Sequence, residues 1–368
     1  MICPTCHRAV AGARTCPYDG ATLSPKRRVD LVPRAPSPRD GERLGGRYVV
    51  HGLLGEGTMA KIFLGEDERT GEAVAIKVLD REKARTRNIE QLFMEEAAIT
   101  ERVSHPGIAA SFDVGEHHDG SVYLVMELLI GETLGERILR LGVPSVRESA
   151  WLVRDVAHAL AAAHEADVIH RDVKPDNIFL VGKLGAPHAA KVLDFGLAHS
   201  RSASVPDTES YAVGTVEYMA PEQALGEVVD GRSDIYGLGV VLFRLLTARL
   251  PFLGNDKVDI LAQQVATAAP APSLLRPGLH PDLDRLVLRA LSKDPASRYQ
   301  TMVDFADDLD RFLAGGRTTA SPPRDALDRY QPRTAFGEQT ARFFHRRLEL
   351  PYLMPGPVAA ATDPPRRA

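Results

Sequence analysis

The sequence predicts an α+β fold of two lobes, a small strand-rich one followed by a larger helical one. Three observations carry this. Between residues 48 and 79, and again at 122–128, apolar residues alternate or are β-branched and are set apart by turn signals, the pattern of strands. From Ser145 to about residue 313 the apolar residues recur at helical intervals. Strands gathered ahead of helices, rather than alternating with them, form separate layers.

In chain order, Tyr48–Leu54, Ala60–Glu66 and Ala73–Leu79 read as strands, with Arg69-Thr70-Gly71 turning between the last two. Asn88 to Arg102 reads as a helix, with Leu92, Ala98, Ile99 and Val103 toward one side. Val122–Leu128 is a strand. Trp151, Val153, Val156, Ala159, Leu160 and Ala163 share a helix, and further helices are expected at Asp234–Leu246, Val258–Ala266, Pro281–Ala290 and Met302–Leu313. Outside this block, residues 1–25 are turn-rich and hold the cysteines, and 26–46 are basic and Pro-rich, as in a linker. The main domain is then 47–314. The Ala-, Pro- and Arg-rich tail 315–368 is expected to be largely without fixed structure.

The chain has 368 residues, 44% hydrophobic and 26% charged, ordinary values for a globular protein. Its net charge of −4 conceals a segregation. Residues 1–47 carry nine Lys/Arg against four Asp/Glu, and 315–368 carry nine against five, so 48–314 is left with 27 basic and 40 acidic residues. An acidic domain argues against nucleic acid as a partner, because phosphate backbones need a basic footprint. The basic ends are either solvated tails or rest on the acidic core, an acidic partner or a membrane surface. No apolar run reaches the roughly 20 residues that cross a bilayer, and the first residues lack a signal-peptide pattern, so a cytoplasmic location is expected. All three cysteines, Cys3, Cys6 and Cys16, lie in the first sixteen residues. An odd, clustered count points to metal ligation rather than disulfides.

The chemistry concentrates in His170-Arg171-Asp172-Val173-Lys174-Pro175-Asp176-Asn177 and in Asp194-Phe195-Gly196. An Asp, an Asn five residues on and a second Asp bring three oxygen-bearing side chains around one polyphosphate. One can accept a hydroxyl proton and two can hold a divalent cation. Earlier in the chain, Gly55-Glu56-Gly57-Thr58-Met59-Ala60 lies between two strands, where backbone amides can close over phosphates, although Ala60 stands where a third glycine would be expected. Lys77 ends the apolar string Val74-Ala75-Ile76-Lys77; an ammonium inside an apolar strand needs an anion.

Together these strings resemble the protein kinase family across residues 48–314, and more narrowly the bacterial members of its eukaryotic-like, or Hanks-type, serine/threonine branch. The resemblance implies ATP and Mg²⁺ as cofactors, and as partners protein substrates with Ser or Thr acceptors, this chain among them. It implies Asp172 as the base that orients the acceptor hydroxyl, Lys174 beside the γ-phosphate, Asn177 and Asp194 on Mg²⁺, and Lys77 on the α/β-phosphates. The acidic partner of Lys77 would be Glu96, with Glu95 as the alternative. Thr215, between Asp172 and Lys174, and Lys174-Pro175 are serine/threonine marks. The nucleotide would lie under Gly55 to Ala60, its base among Leu54, Ile62, Ala75, Phe179 and Leu193. Met126 would be the gatekeeper, and the backbones of Glu127 and Leu129 would bond the adenine edge. His170 would support the loop, Asp234 would anchor its backbone, and Glu222 would pair with Arg298. Arg171 before Asp172 suggests control by phosphorylation at Thr208 or Ser210.

At the N-terminus, Cys3-Pro4-Thr5-Cys6 and Cys16-Pro17-Tyr18-Asp19-Gly20 resemble a small zinc ribbon in which Asp19 replaces the fourth cysteine. The ligands of a Zn²⁺ would be Cys3, Cys6, Cys16 and either Asp19 or His7; without metal the segment is an unligated arm. Such a module, too small for its own core, would serve protein contact. In the tail, Phe336, Phe343, Phe344, Leu348 and Leu350 partly follow helical spacing, among Arg342, Arg346 and Arg347. They form either a docking helix for the domain or a partner, or an unstructured stretch between prolines. Two rival functions are a scaffold that binds nucleotide without turnover, and a kinase of small molecules, similar to the aminoglycoside kinases. The complete set Lys77, Glu96, Asp172, Asn177 and Asp194 disfavours the first, and Ala220-Pro221-Glu222 the second.

Overall fold

The computed structural model describes residues 39–56, 60–79, 102–182, 184, 186, 189–195, 216–321 and 335–347. The first lobe is an antiparallel sheet of six strands: β1 (Arg43–Leu44), β2 (Tyr48–Glu56), β3 (Ala60–Asp67), β4 (Glu72–Leu79), β5 (Ser111–Glu116) and β6 (Val122–Glu127), in the order β1-β2-β3-β4-β6-β5. Its two faces follow from the two-residue period of a strand. Val74, Ile76 and Val78 of β4 pack with Leu44, Tyr48, Val50, Phe63, Tyr123 and Val125 into one apolar layer. Ala75, Lys77 and Leu79 point the other way, and their cross-strand partners are Met126 and Leu124 on β6 and Leu64, Ile62 and Ala60 on β3.

The expected linker through residue 46 needs correction at its end. Residues 39–46 are part of the lobe: β1 pairs with Val49 and Tyr48 of β2, and Leu44 is fully buried. Arg39 reaches Asp119 at 2.7 Å, and Glu42 bonds the buried His117 ring at 2.8 Å. The high Pro, Gly and Arg content of the stretch suggested a linker, but one apolar residue and three charges suffice to seat its end on the β5–β6 turn.

A short sheet follows, β7 (Glu132–Thr133), β8 (Ile178–Leu180) and β9 (Ala190–Val192), around which the helical lobe assembles. Its helices are α1 (Leu134–Leu141), α2 (Val146–Glu165), α3 (Pro221–Ala224), α4 (Gly231–Thr247), α5 (Lys257–Ala266), α6 (Pro272–Leu275), α7 (Pro281–Ala290), α8 (Met302–Leu313) and α9 (Ala335–Arg347). The starts of α1, α2 and α8 are capping boxes, Thr133 with Glu136, Ser145 with Glu148 and Thr301 with Asp304, each satisfying two backbone amides that the helix leaves open. Helix α4 is buried nearly all round and forms the axis of the lobe, with α2, α7 and α8 against it. No described helix is long and apolar enough to cross a membrane.

The tail also differs from expectation. Thr319 donates its backbone N–H to Asp308 at 2.8 Å and Ala320 is buried, so the domain's packing runs past residue 314. Residues 335–347 are helical, with Ala341 and Phe344 buried three residues apart on one side.

Between the lobes, Gly131 has φ +153°, and a Cβ there would run into the Leu180 carbonyl. A Gly131→Ala chain is therefore expected to lose about 2 kcal/mol, read as a lower urea midpoint at unchanged m. An unmoved midpoint would show that β7 and β8 yield without strain.

Candidate active site

The catalytic loop owes its shape to Asp234, in the first turn of α4 and fully buried. Its carboxylate accepts the backbone N–H groups of His170 at 2.8 Å and Arg171 at 2.7 Å, and bonds the His164 ring at 2.8 Å. Burial alone would raise its pKa. The His164 hydrogen bond, the nearby histidine charges and the His170 amide outweigh that and hold it below the usual carboxylate range. The His170 ring bonds the Leu193 carbonyl at 2.8 Å and lies against Phe195, tying this loop to the segment that carries Asp194. Gln223 of α3 donates to the Arg171 carbonyl at 2.8 Å. Arg171 and Asp194 both have positive φ, +65° and +57°, a backbone state that this web of bonds maintains.

On that frame three predicted residues meet. Lys174 Nζ lies 2.7 Å from Asp172 Oδ2, and Asn177 Nδ2 donates to the Asp172 carbonyl at 2.8 Å and to Oδ2 at 3.1 Å. The Asn177 nitrogen being used within the loop, its amide oxygen is the atom on offer to a cation. From the other lobe Lys77, 6% exposed, reaches Asp194 Oδ1 at 2.6 Å across 117 residues of sequence. Two ammonium groups, two carboxylates and an amide oxygen suit the anionic oxygens of a polyphosphate and the hard cation that travels with it. These side chains therefore fit ATP with Mg²⁺.

The residues expected to hold the base lie on β2, β3, β4, β6 and β8 and just after β9. Ile62 opposes Gly55 on β2 and Lys77 on β4, Ala75 opposes Met126, and Leu54 sits at a register shift of β2. Glu56 is the exposed end of β2 and Ala60 the buried start of β3. Leu193 donates its N–H to the Asn177 carbonyl at 2.9 Å, and Phe179 lies on β8 opposite Lys191. Leu129 follows β6 and is half-buried. Gly57, Thr58, Met59, Glu95, Glu96, Thr208, Ser210 and Thr215 lie outside the described residues, as do Cys3, Cys6, His7, Cys16 and Asp19.

Sequence reasoning missed two contacts. Glu127 binds Lys191 Nζ through its side chain at 2.7 Å and donates its N–H to Ala110 at 2.8 Å, so the segment joining the lobes is pinned to β9. No short-range pattern marks residues 64 apart as an ion pair. The bond from His164 to Asp234 is equally long in range.

A model of the protein kinase domain matches residues 48–307. Among similar proteins, serine/threonine-protein kinase Pkn1 of Myxococcus xanthus is 40% identical over 317 residues, 85% of this chain and 43% of the relative. Serine/threonine-protein kinase PrkC of Bacillus subtilis is 36% identical over 269 residues, 73% of this chain and 41% of the relative. The chain thus spans less than half the length of these curated relatives. The crystal structure of the Mycobacterium tuberculosis PknI kinase domain superposes with a TM-score of 0.59 at 28% identity, covering 75% of this chain and 99% of that one. With its two lobes, its matched domain and these relatives, the chain belongs to the protein kinase domain family.

Proposed function

We propose that the chain is a serine/threonine protein kinase that moves the γ-phosphoryl group of ATP onto Ser and Thr hydroxyls of proteins, its own activation segment included. The observation that carries this reading is the cluster of Asp172, Lys174 and Asn177 on one rigid loop, with Lys77 and Asp194 closing the cleft from the side of the sheet.

In this reading the acceptor hydroxyl lies against Asp172, whose carboxylate orients it and takes its proton as the oxygen–phosphorus bond forms. ADP leaves with the electrons of the bond broken at the γ-phosphorus. Lys174, beside Asp172, faces the charge developing on the phosphoryl oxygens. Lys77 holds the α- and β-phosphates, and its present partner Asp194 turns with Asn177 to the cation. Mg²⁺ held by Asn177 and Asp194 would supply positive charge against the phosphate oxygens. Ala75, Ile62, Leu54, Phe179 and Leu193 sandwich the base, and the backbones of Glu127 and Leu129 read its edge beside Met126.

Incubation of the purified chain with Mg-ATP, followed by mass spectrometry, is expected to place phosphate on Ser or Thr between residues 200 and 211. EDTA should abolish the transfer. ATP bound without phosphate on any Ser or Thr would sink the reading in favour of a scaffold.

A further inference from the structure

Helix α9 packs along α5, and its buried residues Ala341 and Phe344 complete one apolar cluster with Val216, Met219, Leu261 and Val265. Val216 begins the 3₁₀ turn Val216–Tyr218, and Met219 follows it. This turn adjoins the catalytic loop. The Tyr218 carbonyl and Val173, next to Asp172, both lie against Gly237 of α4, and Gln223 bonds the Arg171 carbonyl. Helix α9 therefore packs on α5 in the cluster that also takes in this turn beside the loop.

The helix is not what holds the turn. Gln264 of α5, itself fully buried, donates to the Glu217 carbonyl at 2.6 Å and the Val216 carbonyl at 3.4 Å, and accepts from Tyr236 at 2.5 Å. Gln264 thus bonds the turn into the domain from α5, and the buried apolar contribution of α9 is Ala341 and Phe344. Lifting the helix would leave the site's frame standing and uncover an apolar groove beside it. Such a groove fits an amphipathic helix or an apolar segment of another protein.

We propose that this face is a protein-docking surface occupied in cis by α9, so that the seated helix holds protein substrates away from the catalytic loop. This rests on the kinase reading above. Thirteen residues, 322–334, join α9 to the domain, and a segment of that length sets a local concentration on the order of millimolar, which keeps the helix seated against dilute competitors. The attraction is reinforced by charge, since the tail is basic and the domain acidic. ATP and short peptide acceptors, which have no need of the groove, pass unhindered.

The test compares the full chain with Phe344→Asp and with Phe343→Asp, which alters the exposed neighbour by the same charge. The acceptors are dephosphorylated casein and a short peptide of residues 200–213. Phe344→Asp is expected to raise the casein rate about fivefold and leave the peptide rate within twofold, while Phe343→Asp changes neither. A protease site placed at 325–330, cleaved after folding and dilution, should raise the casein rate alike, whether or not the Asp variant folds well. Equal casein rates before and after cleavage, or casein and peptide rates falling together, would overturn the cover. No transfer to either acceptor by any form would overturn the kinase reading, and the cover with it.

Discussion

Asp172→Asn is expected to lower kcat by roughly 10²–10⁴-fold while leaving the melting temperature within about 2 °C of the parent. The two halves of this expectation have separate causes. In the proposed reaction this carboxylate takes the hydroxyl proton, and it carries Lys174 at 2.7 Å and Asn177 at 3.1 Å on one of its oxygens. An amide of the same shape keeps an acceptor oxygen for Lys174 but loses the charge and the basicity. The loop does not depend on that side chain for its course. Asp234 holds the amides of His170 and Arg171, Gln223 holds the Arg171 carbonyl, and Asn177 holds the Asp172 carbonyl. ATP affinity should therefore change little, because Lys77 and Asp194 belong to other segments. A variant retaining more than a tenth of parental turnover would remove Asp172 as the proton acceptor. A variant that melts early would mean the loop is less independently braced than its hydrogen bonds indicate.

Periodicity and capping explain which parts of this fold could be read in advance. Pro281–Ala290 and Met302–Leu313 match their expected spans because each begins at a cap written in the sequence, His280 before Pro281 and Thr301 with Asp304. β2, β3 and β4 lie within two residues of their expected ends for the same reason, alternation bounded by turns. β5 was not anticipated: Ser111-Phe112-Asp113-Val114-Gly115-Glu116 has only two large apolar residues, and it exists because β6 offers an edge to pair with. Helix α1 carries a capping box, Thr133 with Glu136, a spacing that is visible in the sequence. At the site, Asp172, Lys174 and Asn177 were marked by their spacing within one loop, and Asp194 and Lys77 by the strings Asp194-Phe195-Gly196 and Val74-Ala75-Ile76-Lys77 around them. Spacing cannot supply pairings that tertiary folding alone creates: Glu127 with Lys191, His164 with Asp234, or Lys77 with Asp194.

The largest stability effect is expected at Arg298. Its guanidinium, fully buried, makes two bonds to the nearly buried Glu222 at 2.7 and 2.8 Å, and also serves the carbonyls of Ser292, Lys293 and Arg232. Arg298→Ala should destabilise the domain by about 3–5 kcal/mol, since it strands a buried carboxylate and three acceptors. That is on the order of 10 °C in melting temperature for a domain of this size. Arg298→Lys should recover less than half, because an ammonium cannot reproduce the planar fork. The pH dependence gives a sharper check. In the parent, burial pushes the Glu222 pKa up, but the Arg298 charge and hydrogen bonds and the Ser233 hydroxyl outweigh it and hold the group below its usual 4.5. A depressed folded-state pKa stabilises above the unfolded value, and that contribution disappears as pH falls through the folded one. Without Arg298 only the Ser233 hydroxyl and a backbone hydrogen bond oppose the burial effect, the folded-state pKa rises, and the penalty grows as pH climbs past the unfolded value. The gap in melting temperature between parent and Arg298→Ala should therefore be widest near pH 7 and shrink toward pH 4. A gap that stays constant over that range would mean the loss comes from the abandoned carbonyls and the cavity, and that the Glu222 charge contributes little to the stability of this lobe.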